Sequence, residues 1–112
     1  MNFIPYGKQN INQDDVDIVV DTLKSDYLTT GPKVKEFEDA LSSYCGAKYV
    51  LAVANGTAAL HLASLVLLKK DDKVLTTPNS FLATSNSILY VGAKPIFVDI
   101  AQDGNIDLDI CE

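Results

Sequence analysis

YVLAVANGTAAL, residues Tyr49 to Leu60, changes character at its midpoint. Tyr49 to Ala54 is an apolar run short enough for a buried strand, Asn55-Gly56 is a turn signal, and Thr57 to about Leu68 is helical in composition. The stretch therefore predicts strand, tight turn, helix. The alternation repeats downstream: Lys73 to Thr77 reads as a strand, Ser80 to Tyr90 as a helix closed by Gly92, and Pro95 to Ile100 as a third strand. Apolar strands alternating with helices imply a sheet buried on both faces, parallel and built through right-handed crossovers. The fold class is α/β, a mostly parallel sheet with helices on both faces.

Upstream of that stretch two amphipathic helices are expected. From Gln13 to Ser25 the apolar residues Val16, Val19, Val20 and Leu23 recur at helical spacing, with Asp14 and Asp15 near the start, where the helix dipole favours anions. A second helix begins near Pro32, uses Val34, Phe37, Leu41 and Tyr44 as its buried stripe, and ends at Gly46, which can take the left-handed conformation. Asp26 to Gly31 is the loop between them. At the other end, Asp103-Gly104-Asn105 is a turn signal, and Asp107 to Glu112 resembles the first turn of a helix that has been cut.

The 112 residues are enough for one globular unit, and 47% hydrophobic content is ordinary for a packed core. A net charge of -6 with dispersed lysines argues against nucleic acid and anionic membranes as partners. All nine basic residues are lysine, so no guanidinium can clamp a phosphate from this segment. The opening residues lack a secretory pattern and no apolar run is long enough for a membrane span, which makes a cytoplasmic address the expectation. Cys45 and Cys111 fit neither a disulfide framework nor a metal spacing, and are expected to be buried or incidental thiols.

Two strand ends carry chemistry. Asn55-Gly56-Thr57-Ala58-Ala59-Leu60 puts a glycine and a hydroxyl residue where a helix begins, and the unpaired N–H groups of a first helical turn can bind an anion without any basic side chain. An ordinary helix cap, with Asn55 or Thr57 satisfying backbone amides, explains the same residues. Thr76-Thr77-Pro78-Asn79-Ser80-Phe81 also lies at the carboxyl end of a strand, where open α/β sheets place ligands, so Phe81 could stack on a flat cofactor or simply belong to the core. His61, the single histidine, is expected to pack within its helix. Asp99, Asp103, Asp107 and Asp109 lack the closing glutamate of a calcium loop, and no metal site is expected. Dinucleotide, nucleoside-triphosphate and serine-hydrolase signatures are missing from the sequence.

Leu28-Thr29-Thr30-Gly31-Pro32, the Asn55 to Leu60 motif, Thr76-Thr77-Pro78 with Phe81 and Asn86, and Pro95 to Asp99 together resemble the DegT/DnrJ/EryC1/StrS family of sugar aminotransferases, in order and spacing, over essentially the whole chain. Tyr6 and Asp103-Gly104-Asn105-Ile106-Asp107 look most like the branch that aminates a UDP-linked 4-keto-6-deoxy amino sugar on the way to pseudaminic acid. The resemblance implies the N-terminal part of the large domain of a fold type I transferase dependent on pyridoxal 5'-phosphate (PLP), preceded by an N-terminal segment. It implies that Gly56 and Thr57 hold the cofactor phosphate, that Phe81 stacks on the pyridine ring, and that Tyr6, Asp26, Tyr27, Leu28 and Thr29 line the nucleotide-sugar pocket. The amino donor would be glutamate and the parent enzyme a homodimer. The family's cofactor-bearing lysine and the carboxylate that pairs with the pyridine nitrogen would lie beyond Glu112, since Lys69, Lys70, Lys73 and Lys94 have the wrong context. The chain alone is therefore expected to be an inactive fragment. A cofactor- or sugar-binding module without catalysis, and one half of a split enzyme, are the alternatives.

Overall fold

The computed structural model describes residues 5–110. Its elements are, in order, α1 (Gln13–Lys24), α2 (Pro32–Cys45), α3 (Gly56–Leu67), β1 (Lys73–Thr76), α4 (Ala83–Tyr90) and β2 (Lys94–Phe97). They fall into two compact units, Met1–Ala52 and Val53–Glu112.

In the first unit, local chemistry sets each helix end. Asn12 caps α1: its side chain accepts the Asp15 N–H at 3.1 Å, and the Asp15 carboxylate accepts the Asn12 N–H at 2.9 Å, a reciprocal box that satisfies two backbone donors. Pro32 opens α2, where its missing N–H costs nothing, and Gly46 closes it at φ 67°. The apolar stripes form as the spacing predicts, but they are not buried within this chain. Val16, Val19, Val20 and Leu23 on α1 are exposed, as are Val34, Phe37 and Tyr44 on α2. Amphipathic spacing fixes which residues share a face; burial also needs something to cover that face.

Tyr49 to Ala54, expected as a strand, is not one. It is free of regular structure, because a strand is defined by a ladder and no strand among the described residues pairs with it. Instead its Ala52 N–H donates to the Glu38 carboxylate of α2 at 2.8 Å.

The second unit holds the sheet. β1 and β2 pair in parallel, Lys73 opposite Lys94 through Thr76 opposite Phe97, with α4 as the connection between them. From Lys73 to Ile100 expected and observed elements agree in type and differ at the ends. The helix expected from Ser80 begins at Ala83, since the Asn79 N–H turns back to the Thr77 hydroxyl at 3.2 Å and the first helical bond runs from Thr84 N–H to the Phe81 carbonyl at 3.0 Å. β2 ends at Phe97 rather than Ile100: after Val98 N–H bonds Thr76, the chain leaves the parallel ladder and Ile100 bridges Ile106 in antiparallel fashion. Asp103-Gly104-Asn105 makes the intervening turn, with Gly104 at φ 84°. The expected helix start at Asp107 appears only as a turn at Asp109 and Ile110, and Cys111 and Glu112 lie outside the described residues.

Helices α3 and α4 pack on one another, and α4 packs on both strands. The buried residues are small or branched: Ala83, Ile88, Ala93 and Val98, joined by Ser64, Thr76 and Ser87. No buried side-chain polar atom among the described residues lacks a partner. The loops entering β1 and β2 are tied together, Asp71 N–H to the Gly92 carbonyl at 2.9 Å and Lys94 N–H to the Asp72 carbonyl at 2.8 Å. The Lys94–Asp71 ion pair at 2.8 Å lies across the same two loops.

Candidate functional site

At the start of α3 the two readings of the Asn-Gly-Thr stretch turn out to be compatible. Asn55, in extended conformation, accepts the Ala58 N–H on its side-chain oxygen at 2.9 Å, and its carbonyl accepts the Ala59 N–H at 3.2 Å. The cap thus uses the third and fourth amides of the helix. The first two, on Gly56 and Thr57, find no acceptor among the described residues. Gly56 stands in open space, where an added Cβ would meet nothing within 4 Å. Two adjacent free N–H groups, a hydroxyl beside them and the positive end of a helix dipole make a site able to hold a phosphate without a basic side chain.

Phe81 lies in the loop between β1 and α4 and is 80% exposed. It lines an open crevice of about 200 Å³ with Thr77, Pro78, Leu82, Ser85 and Phe97. Thr77 directly follows β1 and Phe97 ends β2, so the crevice sits at the carboxyl ends of both strands. Phe97, like Leu82 and Ser85, lines the crevice without having stood out in the sequence. Its signal, an aromatic inside a predicted strand, became specific only once pairing showed where the strand stops. Gly56 and Thr57 adjoin each other but do not line this crevice.

The sugar-pocket candidates belong to the first unit. Tyr6 is fully exposed in the segment ahead of α1. Asp26, Tyr27, Leu28 and Thr29 occupy the loop between α1 and α2. That loop is tightly held: the Tyr27 N–H donates to the Ser25 hydroxyl oxygen at 3.3 Å and a Cβ on Gly31 would come within 2.9 Å of the Tyr27 Cβ. Thr30 takes φ 52°, a left-handed conformation unusual for a threonine. Leu28 faces a groove of about 380 Å³ shared with Ile18, Val19, Thr22, Leu23 and Lys33, whereas Asp26, Tyr27 and Thr29 are exposed outside that lining.

The His61 ring meets Tyr90 edge-on at 5.2 Å, a packing contact. Cys45 is a free, exposed thiol. Lys69, Lys70, Lys73 and Lys94 are all exposed. No cluster of histidine, cysteine and acidic residues among those described could hold a metal, and no described helix is long and apolar enough to cross a membrane. The Asn105 side-chain and backbone N–H groups both donate to Asp103, holding its carboxyl below the usual aspartate range.

Comparison with known proteins gives this geometry its context. Residues 9–112 match the model of the DegT/DnrJ/EryC1/StrS aminotransferase family. A UDP-4-amino-4,6-dideoxy-N-acetyl-beta-L-altrosamine transaminase of Campylobacter jejuni subsp. jejuni serotype O:23/36 is 50% identical over 104 residues, 93% of this chain and 28% of that protein. Among solved structures, the PLP form of a sugar aminotransferase from Streptococcus pneumoniae, Spr1654, superposes with a TM-score of 0.88 at 37% identity, covering 96% of this chain and 28% of its own. Helicobacter pylori PseC, an aminotransferase of pseudaminic acid biosynthesis, gives 0.87 at 34% identity over 95% of this chain and 30% of its own. The chain therefore spans under a third of the length of the relatives it matches. Family match and fold agree, and the chain belongs to the DegT/DnrJ/EryC1/StrS aminotransferase family.

Proposed function

We propose that residues 1–112 supply the cofactor-phosphate cradle and part of the sugar pocket of a PLP-dependent aminotransferase that moves an amino group from glutamate to the 4-keto carbon of a UDP-linked 6-deoxy amino sugar. The observation that carries the reading is the pair of acceptor-free amides on Gly56 and Thr57, in a chain half identical to an altrosamine transaminase. A phosphate dianion fits there by its donor demand: two N–H groups and the Thr57 hydroxyl belong to one helical turn, and such charge-assisted bonds are about twice as strong as neutral ones.

PLP, when bound, serves as the electron sink for exchange of the amino group. The residues of this chain hold and orient it. Gly56 and Thr57 anchor its phosphate, Phe81 offers a flat apolar face to its ring, and Tyr6 with Asp26, Tyr27, Leu28 and Thr29 contact the nucleotide sugar. In this reading the proton-shuttling lysine and the carboxylate that would pair with the pyridine nitrogen belong to the part of the family enzyme that this chain does not span. The working enzyme is a homodimer in the cytoplasm.

A chimera tests this. The present chain replaces the matching N-terminal part of the Campylobacter transaminase, and aminated sugar is followed with glutamate, PLP and the UDP-linked 4-keto sugar. The expected result is glutamate-dependent product from the chimera and none from the 112-residue chain alone. Turnover by the isolated chain, or a folded chimera that rejects this sugar and accepts another nucleotide sugar, would overturn the assignment.

A further inference from the structure

Asn55 is one of seven asparagines in the sequence, and the only one followed by glycine. We propose that Asn55-Gly56 is a site of spontaneous deamidation, an ageing reaction that places a carboxylate in the phosphate cradle. The site's protection by phosphate rests on the function proposed above; the modification itself does not.

Three features of the structure favour the reaction. The nucleophile would be the Gly56 backbone nitrogen, whose N–H has no acceptor among the described residues and is thus not committed elsewhere. Glycine removes the side chain that would otherwise obstruct the approach, and beyond its chain neighbours and its own helix's backbone nothing lies within 4 Å of where a Cβ would be. The electrophile is already polarised: the Asn55 side-chain oxygen accepts the Ala58 N–H at 2.9 Å, at the positive end of α3, so charge developing on that oxygen is stabilised as in an oxyanion hole. Asn55 itself is exposed, which admits water.

The steps balance without any external reagent except water. The Gly56 nitrogen bonds to the Asn55 side-chain carbonyl carbon, the carboxamide C–N bond breaks, and the Gly56 amide proton leaves with the amino group as ammonia. Water then opens the cyclic imide. Cleavage on the side-chain side leaves an ordinary aspartate at position 55; cleavage on the main-chain side leaves the β-linked isomer, whose extra backbone carbon displaces the cap. Either product puts a negative charge beside the two amides that would receive a phosphate. Bound phosphate, by engaging the Gly56 N–H, should slow the first step.

The 112-residue chain is incubated at neutral to mildly alkaline pH in a phosphate-free buffer, and conversion at every asparagine is followed by peptide mapping and mass spectrometry. Parallel samples contain pyridoxamine 5'-phosphate or pyridoxamine, neither of which has an aldehyde to react with lysines. Asn55 is expected to convert several-fold ahead of Asn79 and Asn86, each of which precedes a serine. The phosphorylated vitamer, and not its counterpart, is expected to slow it. Conversion of Asn55 first, with no effect of either vitamer, would support the modification while counting against the phosphate cradle. An intact Asn55 after Asn79 or Asn86 has reacted would overturn the proposal, and a Gly56→Ala chain that converts as fast as the parent would do so independently.

Discussion

Gly56 and Thr57 occupy consecutive positions in one helical turn, yet substitutions there should fail in different ways. Thr57→Val keeps the backbone amide and deletes a hydroxyl. A hydrogen bond to a charged group contributes roughly 1.5–3 kcal/mol, so affinity for pyridoxamine 5'-phosphate should fall roughly ten- to a hundredfold with helix content unchanged. Gly56→Ala meets no atom of this chain and keeps φ in the ordinary region, so it should fold normally and lose affinity only by crowding the ligand. Titrating the Gly56 and Thr57 amide resonances with the vitamer checks both variants; wild-type affinity in Thr57→Val would remove the hydroxyl from the cradle. Asn55→Ala, by contrast, strips the cap from Ala58 N–H and should cost about 1 kcal/mol of stability whether or not ligand is present. These residues were readable in the sequence because a turn followed by a helix is a local pattern. Which amides the cap would leave free was not readable, since Asn55 and Thr57 are both capable of capping and only the geometry shows Asn55 doing so. Phe97 was missed for a different reason: the end of a strand depends on a partner remote in sequence.

At the scale of elements, the four helices were legible and the strand at Tyr49 to Ala54 was not, and the contrast is physical. Helical bonds connect residues four apart, so Asn12, Pro32 and Gly46 mark ends that need no distant partner. Gly46→Ala should therefore lower the stability of α2 by about 1–2 kcal/mol, because φ 67° brings a Cβ against the following carbonyl; thermal unfolding followed by circular dichroism measures it. An apolar run becomes a strand only beside another strand. Here the Glu38 carboxylate takes one of the N–H groups a neighbouring strand would otherwise accept. Glu38→Ala should speed hydrogen exchange at the Ala52 amide by roughly tenfold, as expected for losing a bond to a charged group, and leave α1 unaffected. Unchanged exchange at Ala52 would show that the tie contributes nothing in solution. The Asp103 turn adds a pH dependence of known sign. Its carboxyl is held below the usual range by the two Asn105 donors, so the turn's extra stability is complete above the ordinary aspartate pKa and is lost as pH falls through the lowered value. The Asn105 amide resonances should accordingly shift only in strongly acid solution, and a midpoint at or above the ordinary aspartate value would contradict the contact.

For the whole molecule, the decisive feature is apolar surface that the fold creates and leaves uncovered. Phe37 and Tyr44 on α2, Val19 and Leu23 on α1, and Val66 and Leu67 on α3 are all more than half exposed. The two-stranded sheet also carries unpaired backbone groups on both edges, and sheets of this size gain stability mainly from what packs on them. Periodicity identified the α1 and α2 faces because it reports which residues point the same way; whether a face is buried depends on what packs against it, which spacing does not report. Exposed faces and open edges favour self-association, while the net charge of -6 opposes it. The two effects separate by salt. At low ionic strength the repulsion acts over tens of ångströms, whereas at about 0.15 M its range is only about 8 Å and apolar contact is little affected. Sedimentation velocity of the 112-residue chain should therefore show association that increases with sodium chloride over a range where circular dichroism is constant. A species that stays monomeric at every salt concentration would mean that these exposed faces do not drive association.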